Sequence, residues 1–138
     1  MTLAQTGLGS VHGLASPLGA YFPIPHGVAC GTTVAAATAI NLRAMKAREP
    51  ANPALVKYAR AAAILCGRTL ETDDAAHAAL VDLLAAWTEA MALPSLSRYG
   101  VGEGDVVRLV AGSRGSSMKT NPIVLRDDEV AELVRSRL

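Results

Sequence analysis

The residues with the most evident capacity for chemistry are two histidines in the first fifth of the chain, His12 and His26. They bracket a proline-rich turn containing Pro23 and Pro25, on the least charged stretch of the sequence. If the segment before the turn is helical and His26 opens the next helix, the turn brings both imidazoles toward one point. Two ligands of a divalent metal need this arrangement. The spacing is not a standard metal signature, so metal ligation and a purely structural role both stay open.

The third histidine, His77, has no evident acidic or histidine partner at helical spacing, and we predict that it is exposed or partly buried. Two acidic pairs, Asp73 with Asp74 and Asp127 with Asp128, fall where helices are predicted to begin. Carboxylates favour the positive end of a helix, so capping explains both pairs better than acid–base catalysis does.

Hydroxyls and thiols offer no recognisable nucleophilic site. Ser10, Ser16 and Thr32 are nucleophiles in principle, but none has a histidine and an acid in a recognisable order. Cys30 and Cys66 lie in apolar helical segments without metal-type pairing. We therefore interpret both cysteines as small core residues in a reducing compartment and predict a cytoplasmic protein.

Helices must position these groups. The sequence predicts a helix over residues 7–20 that loosens near Ser16 because of Pro17, and a long helix over residues 27–48. Asn52, with a proline after it, starts a third helix that Gly67 ends. Thr72 is predicted to cap an amphipathic helix, in which apolar residues recur at helical spacing: Leu80, Leu83, Leu84, Trp87 and Met91. A short helix over residues 105–111 and a polar loop over residues 112–120 are predicted to follow. A last helix is predicted to begin near Asp127.

Composition agrees with a single all-α domain. The 138 residues are 51% hydrophobic but only 4% aromatic, and their apolar content comes mostly from alanine, leucine and valine. We predict one helical-bundle-like unit of five to seven helices over residues 1–138. The net charge of +1, without a basic patch, argues against nucleic-acid binding. The apolar run over residues 28–40 is too short to span a bilayer, so no membrane association is expected.

One segment resembles a known family. The string GLGSVHGLASPLGAYFPIPHG, residues 7–27, is similar to the signature region of the iron-containing alcohol dehydrogenases. That region holds a helical histidine, then His-Pro-Leu-Gly, then Pro-His-Gly. The resemblance continues through KYA at residues 57–59, LPSL at 93–96 and NP at 121–122, and so covers residues 7–138.

The resemblance implies a metal site and a cofactor. Family members have an N-terminal α/β domain that binds NAD(P) and a C-terminal helical domain that holds Fe²⁺ or Zn²⁺ between one aspartate and three histidines. His12 and His26 match the last two ligands, whereas the first two have no counterpart in this sequence. Ser16 stands where members commonly carry a histidine thought to help relay a proton, so Ser16 is the matching catalytic position.

The implied function is that of the C-terminal metal-binding part of an NAD(P)-dependent alcohol dehydrogenase, inactive without the nucleotide-binding α/β half, which a partner chain would supply. The alternative is a free-standing structural or partner-binding helical module descended from a truncated dehydrogenase. Loss of the α/β half is expected to expose apolar surface near residues 23–39. We therefore also predict a homo-oligomer, in the form of a dimer.

Overall fold

The computed structural model describes residues 8–138, and all of the regular secondary structure within them is helical, without a strand. Residues 8–138 form seven α-helices and two 3-10 helices, which confirms the predicted all-α class. In chain order these are α1 (Ser10–Tyr21), α2 (His26–Arg48), α3 (Pro53–Cys66), α4 (Asp73–Ala90), the 3-10 helices Leu96–Tyr99 and Glu103–Asp105, α5 (Val106–Gly112), α6 (Ser116–Lys119) and α7 (Asp127–Arg135). Gly7, with which the first predicted helix began, lies outside the described residues.

The longest helix, α2, is the centre of the fold. It has 23 residues and packs against α1, α3, α4 and α7. Its uncharged first half buries small residues such as Ala29, Thr33 and Ala37, which let neighbouring helices approach closely. Although α2 is long, no helix of residues 8–138 is long and apolar enough to cross a membrane.

Helix ends follow the predicted signals. The Asn52 side chain accepts a hydrogen bond from the Ala54 backbone N–H at 2.9 Å, and α3 starts at the following proline. Gly67 ends α3 with a φ of 66°, a left-handed conformation that glycine adopts without strain. The Thr72 hydroxyl accepts from Ala75 N–H at 3.1 Å and so caps α4.

The main core joins α1 and α2 to the C-terminal third of the chain, and a smaller cluster lies between α3 and α4. Leu14 and Leu18 of α1 are fully buried in the main core, as are Leu109 and Leu133. Burying each leucine contributes roughly 1.5–3 kcal/mol. The helix that carries His12 is therefore firmly anchored, and it continues through Pro17 to Tyr21.

Two predictions about local structure were wrong. The segment predicted as a polar loop over residues 112–120 contains α6, because Met118 is buried against α1 and orders the turn around it. On α4, Leu80 is buried as its spacing predicted, but Trp87 is 42% exposed and Met91, just after the helix, is 61% exposed. The apolar stripe of α4 is thus only partly covered by the described residues.

In the region where apolar surface was predicted, residues 23–39, Pro23 and Pro25 are exposed and Val28 and Val34 are partly exposed. Within that range the large side chain of Ile24 is buried, because it packs into the main core. The exposed large apolar side chains on the long helices are Val56, Ile64 and Leu65 of α3, together with Trp87 of α4. Exposed apolar surface that could serve for association therefore includes a part of α3 and α4.

Candidate metal centre

The position of His12 is set by a capping interaction from far along the chain. α1 starts after Gly9, whose φ of 79° is left-handed, and glycine has no side chain to cap the helix. Asn121 does so instead, since its Oδ1 accepts from the Ser10 N–H at 2.9 Å. A Cβ at Gly9 would lie only 3.1 Å from the same oxygen. The first turn of α1, and with it His12, is therefore fixed against the segment that precedes α7.

The position of His26 is set by the turn between α1 and α2. Ile24 is buried, so it anchors the connection to the core, while Pro25 has the extended conformation that precedes a helix, with φ −58° and ψ 135°. The Pro25 carbonyl accepts the Ala29 N–H at 3.0 Å. His26 is consequently the first residue of α2, and the chain reverses so that α1 and α2 pack together.

The two imidazoles converge, as the sequence predicted. The ring centroids of His12 and His26 are 5.3 Å apart, and the rings are tilted by 52°. Two imidazoles bound to one tetrahedral Zn²⁺ through bonds of roughly 2 Å would have ring centres about 5 Å apart. The observed separation therefore fits two ligands of one cation. His26 is exposed and His12 is half-buried, so the group is open to the surface.

A third donor, Cys30, belongs to the same group. One ligand atom from each of His12, His26 and Cys30 lies within 4.8 Å of the others, and Cys30 Sγ is 3.5 Å from His26 Nε2. We call these three residues the donor triad. Within residues 8–138, no other set of three or more histidine, cysteine or acidic side chains is close enough to hold a metal.

The prediction that Cys30 lacks metal-type pairing was therefore wrong, although Cys30 does pack against the main core. Cys30 follows His26 by four residues, and residues four apart on a helix lie on the same face. This spacing was the signal that could have identified it. Cys30 is half-buried, and burial raises the pKa of its thiol, so without a cation the group is a neutral thiol at pH 7.

Ser16 lies one turn after His12 on α1 and is exposed. Residues four apart share a helix face, so its hydroxyl is on the same side of α1 as the His12 ring. The proposed catalytic role of Ser16 is not tested by this geometry and stays a prediction.

His77 is buried, and the prediction of an exposed or partly buried residue was wrong. Its Nε2 donates to the Leu55 carbonyl at 2.8 Å, which ties α4 to the start of α3. Its Nδ1 is 4.0 Å from a carboxylate oxygen of Asp74, an acidic neighbour at helical spacing that the sequence analysis overlooked. Asp74 itself pairs with Lys46 at 2.6 Å, and this hydrogen bond lowers the pKa of the carboxyl.

A surface groove of about 670 Å³ lies beside His77, between α2 and α4. No residue of the donor triad lines this groove. Its walls are mostly apolar side chains, with Arg43 and Lys46 on one side and Asp74 and Asp82 on the other. This groove is therefore separate from the groups that could bind a metal.

The other candidate groups have structural roles. The acidic pairs occupy the first turns of α4 and α7, as predicted. The Thr32 hydroxyl is buried, donates to the Pro94 carbonyl at 3.0 Å and accepts from Arg137 Nε at 2.9 Å. With both bonds made, Thr32 joins α2 to the C-terminus and is not available as a nucleophile.

Together, the fold and the donor triad define an all-helical domain in which two imidazoles and a thiol, groups of the kinds that can ligate a metal, converge near the surface. Residues 1–138 match the model of the Fe-containing alcohol dehydrogenase family, C-terminal. The chain belongs to this family. Membership implies a metal and an NAD cofactor in the complete enzyme.

A solved structure supports the fold. The chain is similar to the one described as "Crystal structure analysis of 1,3-propanediol oxidoreductase", with a TM-score of 0.80 and 23% sequence identity. The likeness covers 95% of this chain and 33% of the solved chain, so this chain spans about a third of the length of that relative. A comparison with curated proteins found no match.

Proposed function

We propose that this chain is the C-terminal, metal-binding part of an NAD(P)-dependent and metal-dependent alcohol dehydrogenase. The complete enzyme would transfer hydride reversibly between an alcohol and the nicotinamide. The observation that carries the proposal is the convergence of His12 and His26 to a ring separation of 5.3 Å, in a chain that belongs to this family.

The chain's own residues would act by holding and orienting. His12 and His26 hold one Fe²⁺ or Zn²⁺ from two helices whose packing keeps the rings together. When bound, such a cation supplies Lewis-acid chemistry toward an alcohol or carbonyl oxygen. Ser16, on the His12 side of α1, would pass a proton through water from the position where relatives commonly have a histidine.

Nucleotide binding would come from elsewhere. Residues 8–138 contain no strand, and a dinucleotide-binding turn requires a strand followed by a helix. We propose that an α/β part, in a partner chain or in a longer polypeptide, supplies this turn and the remaining aspartate and histidine ligands. The exposed position of His26 leaves room for that part to approach. Without it, we expect metal binding to be weak and dehydrogenase activity to be absent.

A second candidate function is a free-standing module that binds a partner. It is favoured by the exposed apolar side chains of Val56, Ile64 and Trp87 on neighbouring helices. The same surface supports a dimer of this chain, since such surfaces are commonly covered by association. For either function, the free thiols of Cys30 and Cys66 fit a reducing compartment such as the cytoplasm.

Metal analysis separates the two candidates. The 138-residue chain is purified, and its binding of Zn²⁺, or of Fe²⁺ without oxygen, is measured at equilibrium by dialysis against a series of metal concentrations. The dehydrogenase proposal predicts saturable uptake approaching one cation per chain, which the double variant His12→Ala and His26→Ala loses. Equal uptake by the wild type and the double variant would contradict it and favour the module.

A further inference from the structure

We propose that Cys30 is the third protein ligand of this centre, so that the donor triad forms a two-histidine, one-thiolate site that prefers Zn²⁺ to Fe²⁺. The proposal rests on the proposed metal-binding function of His12 and His26 and adds to it a donor that changes the chemistry of the site. A thiolate is a soft ligand, which favours zinc over harder divalent cations.

The distances fit a metal–sulfur bond. With Zn–S near 2.3 Å and Zn–N near 2.0–2.1 Å, a sulfur and a nitrogen on one tetrahedral zinc are about 3.6 Å apart. Cys30 Sγ and His26 Nε2 are 3.5 Å apart. The largest separation among the three ligand atoms stays within 4.8 Å, which rotation of the half-buried His12 ring can shorten.

The backbone around Cys30 is held firmly in place. Its neighbour Ala29 is fully buried, and the Thr33 hydroxyl donates to the Ala29 carbonyl at 2.8 Å. On the other side, a Cβ built on Gly31 would lie 2.7 Å from a methyl carbon of Leu93, so α2 is closely packed at this turn. Cys30 and His26 therefore present their donor atoms from one rigid helix, which reduces the entropic cost of binding a cation.

The site would keep an open position. Within this chain alone, three protein ligands leave one corner of a tetrahedron free, and a ligand from the α/β part would bind there. The exposure of His26 puts that corner at the surface. On binding, the Cys30 thiol releases its proton to solvent and the thiolate sulfur donates an electron pair to Zn²⁺, with no change in oxidation state.

A hydrogen bond between the Cys30 thiol and the His26 ring would give the same 3.5 Å distance. The test must therefore detect the metal–sulfur bond itself. Co²⁺ serves as a spectroscopic substitute for Zn²⁺, because a bound thiolate produces an intense near-ultraviolet charge-transfer band. The matched control is Cys66→Ser, since Cys66 is the other free cysteine and lies at the end of α3.

Titration of the 138-residue chain with Co²⁺ is expected to produce the charge-transfer band in the wild type and in Cys66→Ser. Cys30→Ser should lack the band and bind Co²⁺ and Zn²⁺ at least about tenfold more weakly, since losing a ligand costs no less than losing an outer-shell partner. Helical circular dichroism checks that each variant is folded. Cobalt binding without the band in the wild type would overturn the Cys30 proposal and leave the His12 and His26 site standing.

Thiol alkylation gives a second measurement that does not depend on a Cys30 variant folding. In Cys66→Ser, Zn²⁺ should slow alkylation of the remaining Cys30 thiol by about tenfold or more, and addition of His26→Ala should abolish that protection. Alkylation of Cys30 that is unaffected by Zn²⁺ would overturn the proposal. If no cation binds the wild type at all, the proposal fails together with the proposed metal function.

Discussion

The polar side chains at the two ends of α2 differ in the partners that they contact. At the N-terminal end, His26 and Cys30 find only each other and the His12 ring within residues 8–138. At the C-terminal end, Asn41 and Arg48 are bonded to side chains of other elements. Groups that are satisfied within the protein stabilise the fold, whereas converging donors that contact only one another remain able to bind a ligand.

At the C-terminal end of α2, the polar side chains form several hydrogen bonds with residues in and just before α7. Asn121 Nδ2 donates to Asn41 Oδ1 at 2.8 Å, and Asn121 Oδ1 accepts from Asn41 Nδ2 at 3.3 Å. Further along, Arg48 forms two hydrogen bonds to the carboxylate of Glu129, one of them at 3.1 Å. This end of α2 therefore fixes the position of the segment that leads into α7.

We expect the largest effect, on zinc affinity, from substituting His26 at the N-terminal end of α2. His26→Ala is expected to lower Zn²⁺ affinity by about a hundredfold or more, because the cation loses a direct ligand, with little change in unfolding free energy at an exposed residue. Isothermal titration and urea unfolding measure the two quantities. The opposite pattern, intact zinc binding with a large loss of stability, would assign His26 a structural role.

Substitutions that remove hydrogen bonds at the C-terminal end of α2 should instead lower the free energy of unfolding. Asn121→Ala removes the cap of Ser10 N–H and leaves the buried Asn41 amide short of partners, so we expect a loss of about 2–3 kcal/mol in urea unfolding. The matched control is Asn52→Ala, another asparagine followed by proline, which loses a helix cap and should cost about 1 kcal/mol.

The same two variants also test whether the hydrogen bonds of Asn121 affect zinc binding at the other end of α2. Because Asn121 fixes the first turn of α1, which carries His12, Asn121→Ala should also weaken zinc binding more than Asn52→Ala does. Equal metal affinities in the two variants would show that the Asn121 network positions α1 without affecting the donor triad.

Features with local signals were predictable from the sequence. The ends of α3 follow from Asn52 and Gly67, and the start of α4 from Thr72, because capping depends on residues close in the chain. The convergence of His12 and His26 was predictable because one proline-rich turn joins their helices. These features make up most of the helical framework.

Most of the features that were not predicted depend on contacts between residues that are far apart in the sequence. α6 forms in a glycine- and serine-rich segment because Met118 packs near Gly13, about a hundred residues earlier. The burial of His77 depends on the Leu55 carbonyl in another helix. Cys30 was missed for a different reason, since its apolar surroundings outweighed its helical spacing from His26.

A smaller effect is expected at His77, a histidine whose ring donates a hydrogen bond to a protein carbonyl and lies outside the donor triad. His77→Leu should cost about 1–2 kcal/mol in unfolding free energy, since the Leu55 carbonyl loses its donor, while zinc affinity stays unchanged. His77→Gln, whose amide can donate, is the control and should recover part of the loss. A fall in zinc affinity in His77→Leu would contradict the separation of the two regions.

The smallest expected effect concerns the pH dependence of the Arg48 and Glu129 pair. Burial raises the pKa of Glu129, but hydrogen bonds from Arg48 and from the Arg126 N–H outweigh it, so the pKa lies below its ordinary value of 4.5. In the folded protein Glu129 therefore binds its proton less readily than in the unfolded chain. Its stabilising contribution is fully present above about pH 4.5 and is lost as the pH falls through the lower folded-state pKa.

Glu129→Gln should therefore lower the unfolding free energy by about 1 kcal/mol at pH 7, and the difference from wild type should shrink as the pH is lowered from about 4.5 toward 3. The control is Glu132→Gln, one turn later on α7, whose bond to Arg43 also lowers its pKa. The Glu132 side chain is 51% exposed, compared with 13% for Glu129, so water screens that pair and its loss should cost less. Urea unfolding across this pH range measures both variants, and an equal cost at all pH values would mean that Glu129 acts through packing, because only an ionised carboxylate loses its contribution on protonation.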